Sequence, residues 1–254
     1  MASEDRFGYE WKRYAHLDAR YEHQFQTWIS SLTPADFKGK AVLDAGCGMG
    51  RNSYWPLTYG AARVVAFDND EQSLASARRT LAPFKNAVVE RHDLSDLPWD
   101  GEFDIVICVG VLHHVRRPER ALAGLVKALK PGGTLIVWVY SYEGNEWIPR
   151  YVTPIRERIT SRLPLPLMHA LSYLCSVPLW IFLKLFRGPT PYLRDLSQFE
   201  FWHVHSIVFD QLIPAVANYW KREEVEALAR ATSLSSFVIE KPRNGNGWTL
   251  HGTK

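Results

Sequence analysis

Ala41-Val42-Leu43-Asp44-Ala45-Gly46-Cys47-Gly48-Met49-Gly50 is the stretch that decides the fold. A short apolar run delivers a carboxylate, three glycines follow at alternating positions, and the residues after Gly50 can begin a helix. Glycine tolerates positive φ and lets a ligand approach the backbone closely. A dinucleotide site places G-x-G-x-x-G after its first strand. In this chain the third glycine comes one residue early, Arg51 stands in the expected place, and Asp44 lies two residues before the first glycine. Its charge would repel a pyrophosphate over the turn but suits a cationic ligand with an ammonium group, which argues against a nicotinamide dehydrogenase.

Four more segments follow in order. Arg63-Val64-Val65-Ala66-Phe67-Asp68 reads as a second strand ending in an acid, and Val88–Leu94 as a third closing on Asp93. Phe103 to Val115 is an apolar strand running into a loop, Val109-Gly110-Val111-Leu112-His113-His114. Leu129-Lys130-Pro131-Gly132-Gly133-Thr134-Leu135-Ile136-Val137 is a turn and a fifth strand. A lone glycine-rich turn is weak, but five ordered elements over about 100 residues form a specific pattern.

That pattern resembles the class I S-adenosylmethionine (SAM)-dependent methyltransferases, with residues 41–50 similar to their motif I, and it is closest to their type 11 group. The resemblance covers residues 40–140 well, the tail moderately and the rest hardly at all. It implies an α/β fold with a Rossmann-like sheet of seven strands, the last antiparallel, helices on both faces and a helical lid inserted after strand 5. It also implies SAM as cofactor. Asp44 would then meet the methionine end, directly or through water, beside the backbone of Gly46, Cys47 and Gly48, and Asp68 both ribose hydroxyls. Asp93 would take the adenine amine, with Leu94 and either Phe67 or Asn69 about the adenine ring and Val109 in the loop facing the methyl group. Tyr9, Trp11 or Tyr14, from an N-terminal segment that folds over the cofactor in similar enzymes, would stack on it or hydrogen-bond to it, and aromatic faces favour a sulfonium.

Composition agrees with a globular enzyme. The chain has 254 residues, enough for one domain with an insertion. A net charge of +3 does not argue for nucleic acid. Ten tryptophans and eleven tyrosines suggest an aromatic-lined pocket beside ordinary core packing. Cys47, Cys108 and Cys175 are too scattered for a disulfide framework or a metal cluster, so no metal is expected. The start, Met1-Ala2-Ser3-Glu4-Asp5-Arg6, is no signal peptide by pattern, and a cytoplasmic setting is expected.

Periodicity, read with what the resemblance implies, divides the chain into four parts. Residues 1–36 form a helical, aromatic segment over the cofactor, and residues 37–140 the cofactor-binding core. Residues 141–218 form a lid and substrate insertion, and residues 219–254 a helix and strand hairpin that complete the core. Strands are expected near 41–45, 63–67, 87–91, 103–109, 134–140, 236–241 and 247–252. Helices are expected near 50–59, 70–82, 118–130 and 220–230. Within the insertion, residues 163–187 are apolar on nearly every face, as a packed lid helix, a homodimer contact or a peripheral membrane helix would be. Basic residues Arg150, Arg156, Arg158, Arg162, Lys184 and Arg187 surround this stretch and would suit anionic headgroups.

The loop after the fourth strand lacks the Asn/Asp-Pro-Pro-aromatic sequence of base amine methylation and a Pro-Cys pair for pyrimidine attack. No nucleic-acid partner is therefore expected, and an RNA-modifying enzyme stands behind a small-molecule or lipidic acceptor, O-methylation being slightly favoured. A non-catalytic SAM-fold scaffold is the rival from another class. Candidate bases are His113 and His114 in that loop, and His203 and His205 on a period-two segment of the insertion, with Tyr192 and Asp210 beside them.

Overall fold

A computed structural model describes residues 4–14, 16–186 and 188–254. Seven strands form one sheet: β1 (Ala41–Ala45), β2 (Arg63–Asp68), β3 (Ala87–Arg91), β4 (Phe103–Val109), β5 (Leu129–Tyr140), β6 (Ser236–Glu240) and β7 (Gly247–Thr253). Their order is β3-β2-β1-β4-β5-β7-β6. The first five run parallel, and β7 lies antiparallel between β5 and β6. This is the sheet expected, and its apolar strands β1, β2 and β4 are buried because helices cover both faces.

Four helices of the core follow the expected alternation: α3 (Arg51–Thr58), α4 (Glu71–Leu81), α5 (Pro118–Ala128) and α10 (Arg222–Arg230). One apolar layer packs Leu122, Leu125, Val225 and Ala229 on Val106, Val137 and Leu250. The other packs Trp55, Leu74 and Ala77, with Phe25 from the N-terminal segment, on Val42, Val64 and Ile107. Asp70 caps α4 by accepting from the Ser73 amide at 2.7 Å.

Two boundaries differ from the expected ones. Helix α5 stops at Ala128 rather than near 130, and β5 begins at Leu129 rather than 134. Leu129 pairs with Phe103, the chain bulges through Pro131-Gly132-Gly133, and pairing resumes between Thr134 and Ile105. The bulge hides the strand's start, because a Pro-Gly-Gly turn ordinarily marks a break.

The N-terminal segment forms α1 (Glu4–Arg13) and α2 (Arg20–Trp28). Residues 141–218 add α6 (Thr153–Arg158), α7 (Leu165–Phe186), α8 (Pro191–Ser197) and α9 (Phe201–Leu212). Helix α9 replaces the expected period-two segment. Residues two apart on a helix point some 200° apart, so His203 and His205 cannot serve one site. His205 is buried towards α7, where its ring nitrogens pair with Ser176 Oγ at 2.7 Å and Ser172 Oγ at 3.4 Å.

Candidate active site

The carboxyl ends of β1, β2, β4 and β5 open into a cavity of ≈ 230 Å³, closed from above by α1, α2 and α9. Crevices outside the carboxyl ends of such strands are where open α/β sheets bind ligands. At its floor, Asp68 ends β2 buried, and both its oxygens are engaged by the backbone. Gly48 N–H donates to Oδ2 and Asp70 N–H to Oδ1, each at 3.0 Å. Burial raises its carboxyl, and these amides oppose the rise. The turn between them has no spare room. A Cβ on Gly46 would lie 2.5 Å from Val111, and one on Gly48 2.9 Å from the Trp11 indole, while both glycines hold positive φ.

Of the residues expected at the cofactor, Gly46, Asp68, Asn69, Asp93, Leu94, Val109 and Trp11 line this cavity. Asp93 is exposed at its edge and accepts from Ser95 N–H at 2.7 Å. Four others do not line it. Asp44 is buried beneath the turn, where Ser53 Oγ donates to it, so its direct contact with the methionine end is corrected to support of the loop. Burial pushes its carboxyl up to about 7. The Cys47 side chain packs in the apolar layer behind β1, because alternation along the turn sends it away from the cavity. Tyr9 points to the insertion, its ring 5.8 Å from Phe209 and 6.1 Å from His169, because it lies on the opposite face of α1 from Trp11. Gly48 acts through its backbone.

Among the candidate bases, His114 and His203 line the cavity, and His113 and His205 do not. His113 is fully buried, stacked 3.8 Å from the Tyr140 ring with neither nitrogen bonded, and burial holds it well below the ordinary imidazole range. His114 Nδ1 donates to the Val216 carbonyl at 2.8 Å, which leaves Nε2 as an acceptor, and burial lowers it to about 4. His203 Nδ1 pairs with Tyr21 Oη at 3.1 Å, and burial lowers it to about 3. Tyr192 and Asp210 also line the cavity. Burial pushes Asp210 up to about 6, opposed by the Tyr140 hydroxyl, which donates to it at 3.4 Å. Gln211 Nε2 in turn donates to Tyr140 Oη at 3.0 Å.

Glu10, Arg51, Tyr140 and Gln211 went unforeseen. Glu10 is buried on α1, and desolvation followed by the charge of Asp210 raises its carboxyl well above the usual range. Arg51 is half-buried against aromatic faces, its guanidinium carbon 4.7 Å from the Tyr21 centroid and 5.6 Å from that of Trp28. The signal was present for Arg51, which follows the glycine turn directly, and absent for Glu10, whose burial depends on α9.

The polar inventory shows what the cavity fits. Buried atoms without a partner include Glu10 Oε2, Gln24 Oε1, the Trp28 and Trp138 indole nitrogens, His203 Nε2 and Asn246 Oδ1, all on cavity-lining residues. Buried polar groups are ordinarily satisfied, so this cluster is that of a site for a polar ligand. Carboxylate Asp68, guanidinium Arg51 and apolar Phe67 and Leu94 match the sugar, carboxylate and purine of a nucleoside carrying an amino acid.

The sheet, the glycine turn and the Asp68 clamp together define a class I SAM-dependent methyltransferase fold, whose cofactor is SAM. Residues 43–137 match the family described as Methyltransferase domain. Over 143 residues the chain is 30% identical to a tRNA U34 carboxymethyltransferase of Campylobacter hominis, covering 56% of this chain and 50% of that protein. Over 119 residues it is 34% identical to a demethylmenaquinone methyltransferase of Clavibacter sepedonicus, covering 46% and 48%. A solved chain from the complex of the Haloferax volcanii Trm112 methyltransferase activator with a methyltransferase superposes with a TM-score of 0.59 at 16% identity, covering 98% of this chain and 97% of that one. The chain spans half or less of the length of the first curated relatives it matches.

Proposed function

We propose that this protein transfers the methyl group of SAM to a small-molecule or lipidic acceptor inside the aromatic cavity. The observation that carries this reading is the cavity itself, with cofactor-type groups on the sheet side and a separate group of aromatic and titratable residues under the insertion. SAM supplies an electrophilic methyl on a sulfonium. Asp68 would hold the ribose, Asp93 the adenine amine, Arg51 the carboxylate, and Trp11 would cover the turn. Tyr140, Tyr192, His114 and Asp210 line the remaining space. Their work is to align the acceptor, exclude water and receive its proton. A non-catalytic scaffold has no use for buried proton acceptors there.

The decisive test is incubation with SAM labelled in the methyl group and a metabolite and lipid extract, followed by separation of labelled products. Label in a small or lipidic product is expected. Label confined to added tRNA would turn the reading to RNA modification, the activity named for one relative. The enclosure of the cavity by α9 favours the small acceptor.

The insertion supports a peripheral membrane contact. Helix α7 is 22 residues long, and by length and apolar content it could cross a membrane. Its arrangement favours lying along one. Met168, Ser172, Ser176 and Leu183 are buried on one side, whereas Leu174 and Leu185 are 73% and 69% exposed on the other. Apolar residues outside and serines inside invert the order of a water-facing helix. Helix α7 carries no acidic residue, and exposed Arg158 and Arg162 precede it, so an anionic bilayer is the occupant that fits. Flotation with vesicles containing phosphatidylglycerol tests this. A concentration-dependent dimer without flotation would assign the face to a second copy. The three cysteines are free, which suits a cytoplasmic setting.

A further inference from the structure

Two carboxylates, Glu10 buried and Asp210 half-buried, line the part of the cavity that the cofactor-type residues leave over. Glu10 comes from α1 and Asp210 from α9, both line the cavity, and Asp210 is near enough for its charge to act on Glu10. Neither has a Lys or Arg nitrogen within ion-pair distance among the described residues. Among the described residues Arg51 is the one Arg or Lys on the cavity wall, and its guanidinium faces the rings of Trp11, Tyr21 and Trp28. Arg156 also acts on Asp210, but its guanidinium donates to Thr153 Oγ1 at 3.0 Å and to the carbonyls of Gln211 and Ala217. Glu10 Oε2 is buried without a partner and borders the cavity.

A buried carboxylate without a cation is costly unless a ligand supplies one. An aromatic ring beside it favours the same charge, and Tyr192 lines the cavity here. An anionic acceptor would meet repulsion from whichever of the two acids is ionised. A neutral alcohol would leave at least one of them uncompensated.

We propose that Glu10 and Asp210 form the binding site of a protonated amine, so that the methyl acceptor is a primary or secondary amine with an apolar body. This rests on the methyltransferase reading above. The ammonium gives one proton to the Asp210 carboxylate and becomes a neutral amine with a free lone pair. That lone pair forms the new N–C bond as the C–S bond breaks, and the C–S electron pair stays on sulfur. The products are an N-methylammonium, a neutral thioether and a protonated Asp210. Tyr140, which donates to Asp210, and Gln211, which donates to Tyr140, hold the accepting carboxylate in place as positioning residues.

The test uses the intact protein saturated with S-adenosylhomocysteine and three probes of one shape: 2-phenylethylamine, 2-phenylethanol and phenylacetate. Calorimetry should show the amine binding at least tenfold tighter than the alcohol, and the acid not at all. Asp210→Asn and Glu10→Gln should each reduce that preference to under threefold while S-adenosylhomocysteine affinity stays within threefold. Equal binding of amine and alcohol, or binding of neither, overturns the assignment, and this comparison needs only the unaltered protein. A tenfold loss of S-adenosylhomocysteine affinity in Glu10→Gln would hand Glu10 to the cofactor and overturn its place here. If the unaltered protein fails to bind S-adenosylhomocysteine, the methyltransferase reading itself falls, a result separate from the amine comparison.

Discussion

Asp68 and Asp44 show how the same side chain at two strand ends takes two roles. Asp68 is gripped by two amides, which orient its carboxylate towards the cavity. Asp68→Ala should weaken S-adenosylhomocysteine binding by about 2–3 kcal/mol, the range for losing charge-assisted hydrogen bonds. Calorimetry on a folded variant checks it, and unchanged affinity would remove the ribose role. Asp44 has no such opening and holds its proton against Ser53. Its folded value of about 7 lies above the ordinary aspartate value of about 3.8, so the proton stabilises the fold fully below pH ~4. That contribution is lost as pH rises through 7. The stability difference between the unaltered protein and Asp44→Asn, from urea melts at several pH values, should therefore shift against the unaltered protein between pH 4 and 7 and level off above. A difference independent of pH would show that Asp44 is ionised in the fold. Both aspartates were legible as strand-end acids. Their division was not, because depth beneath the turn has no signature in residue spacing.

At the scale of elements, α7 and α9 form the part of the molecule least legible beforehand. The His203 and His205 spacing suggested a strand, but packing against α7 made it a helix and split the pair between the cavity and the α7 face. Ser172 and Ser176 are the partners of His205 inside that contact. Replacing Ser176 with Ala leaves a buried imidazole nitrogen unsatisfied and should cost about 1–3 kcal/mol in chemical denaturation. Leu174→Asp, on the exposed side of the same helix, should leave stability within about 0.5 kcal/mol, as surface substitutions do, yet reduce flotation with anionic vesicles. A large stability loss in Leu174→Asp would mean that this face is covered within the protein.

Over the whole molecule, the cavity exists only because three remote segments meet above the sheet. Helix α1 lies against α4 so closely that a Cβ on Gly8 would lie 1.9 Å from Asp70 Oδ1, and Trp11 sits over Gly48. Removing residues 1–14 should therefore lower S-adenosylhomocysteine affinity by at least roughly tenfold, as lost cover over a ligand does, while the sheet's cooperative thermal transition persists. Full affinity in the shortened chain would restrict α1 to the acceptor side.

The sequence alone determined the sheet, its antiparallel last strand and the class of cofactor, because these rest on local signals. Apolar runs make buried strands, acids at strand ends face a ligand crevice, and glycine is demanded where φ is positive and Trp11 or Val111 leaves no room for a Cβ. The tertiary structure alone decided which side chains share the cavity. Glu10, Arg51 and Asp210 are separated by up to 200 positions, and the burial of Glu10 and the mutual field of the three arise only when α1 and α9 close over the turn. Electrostatic coupling depends on distance through space and on exclusion of water, and neither quantity is carried by the order of residues along the chain.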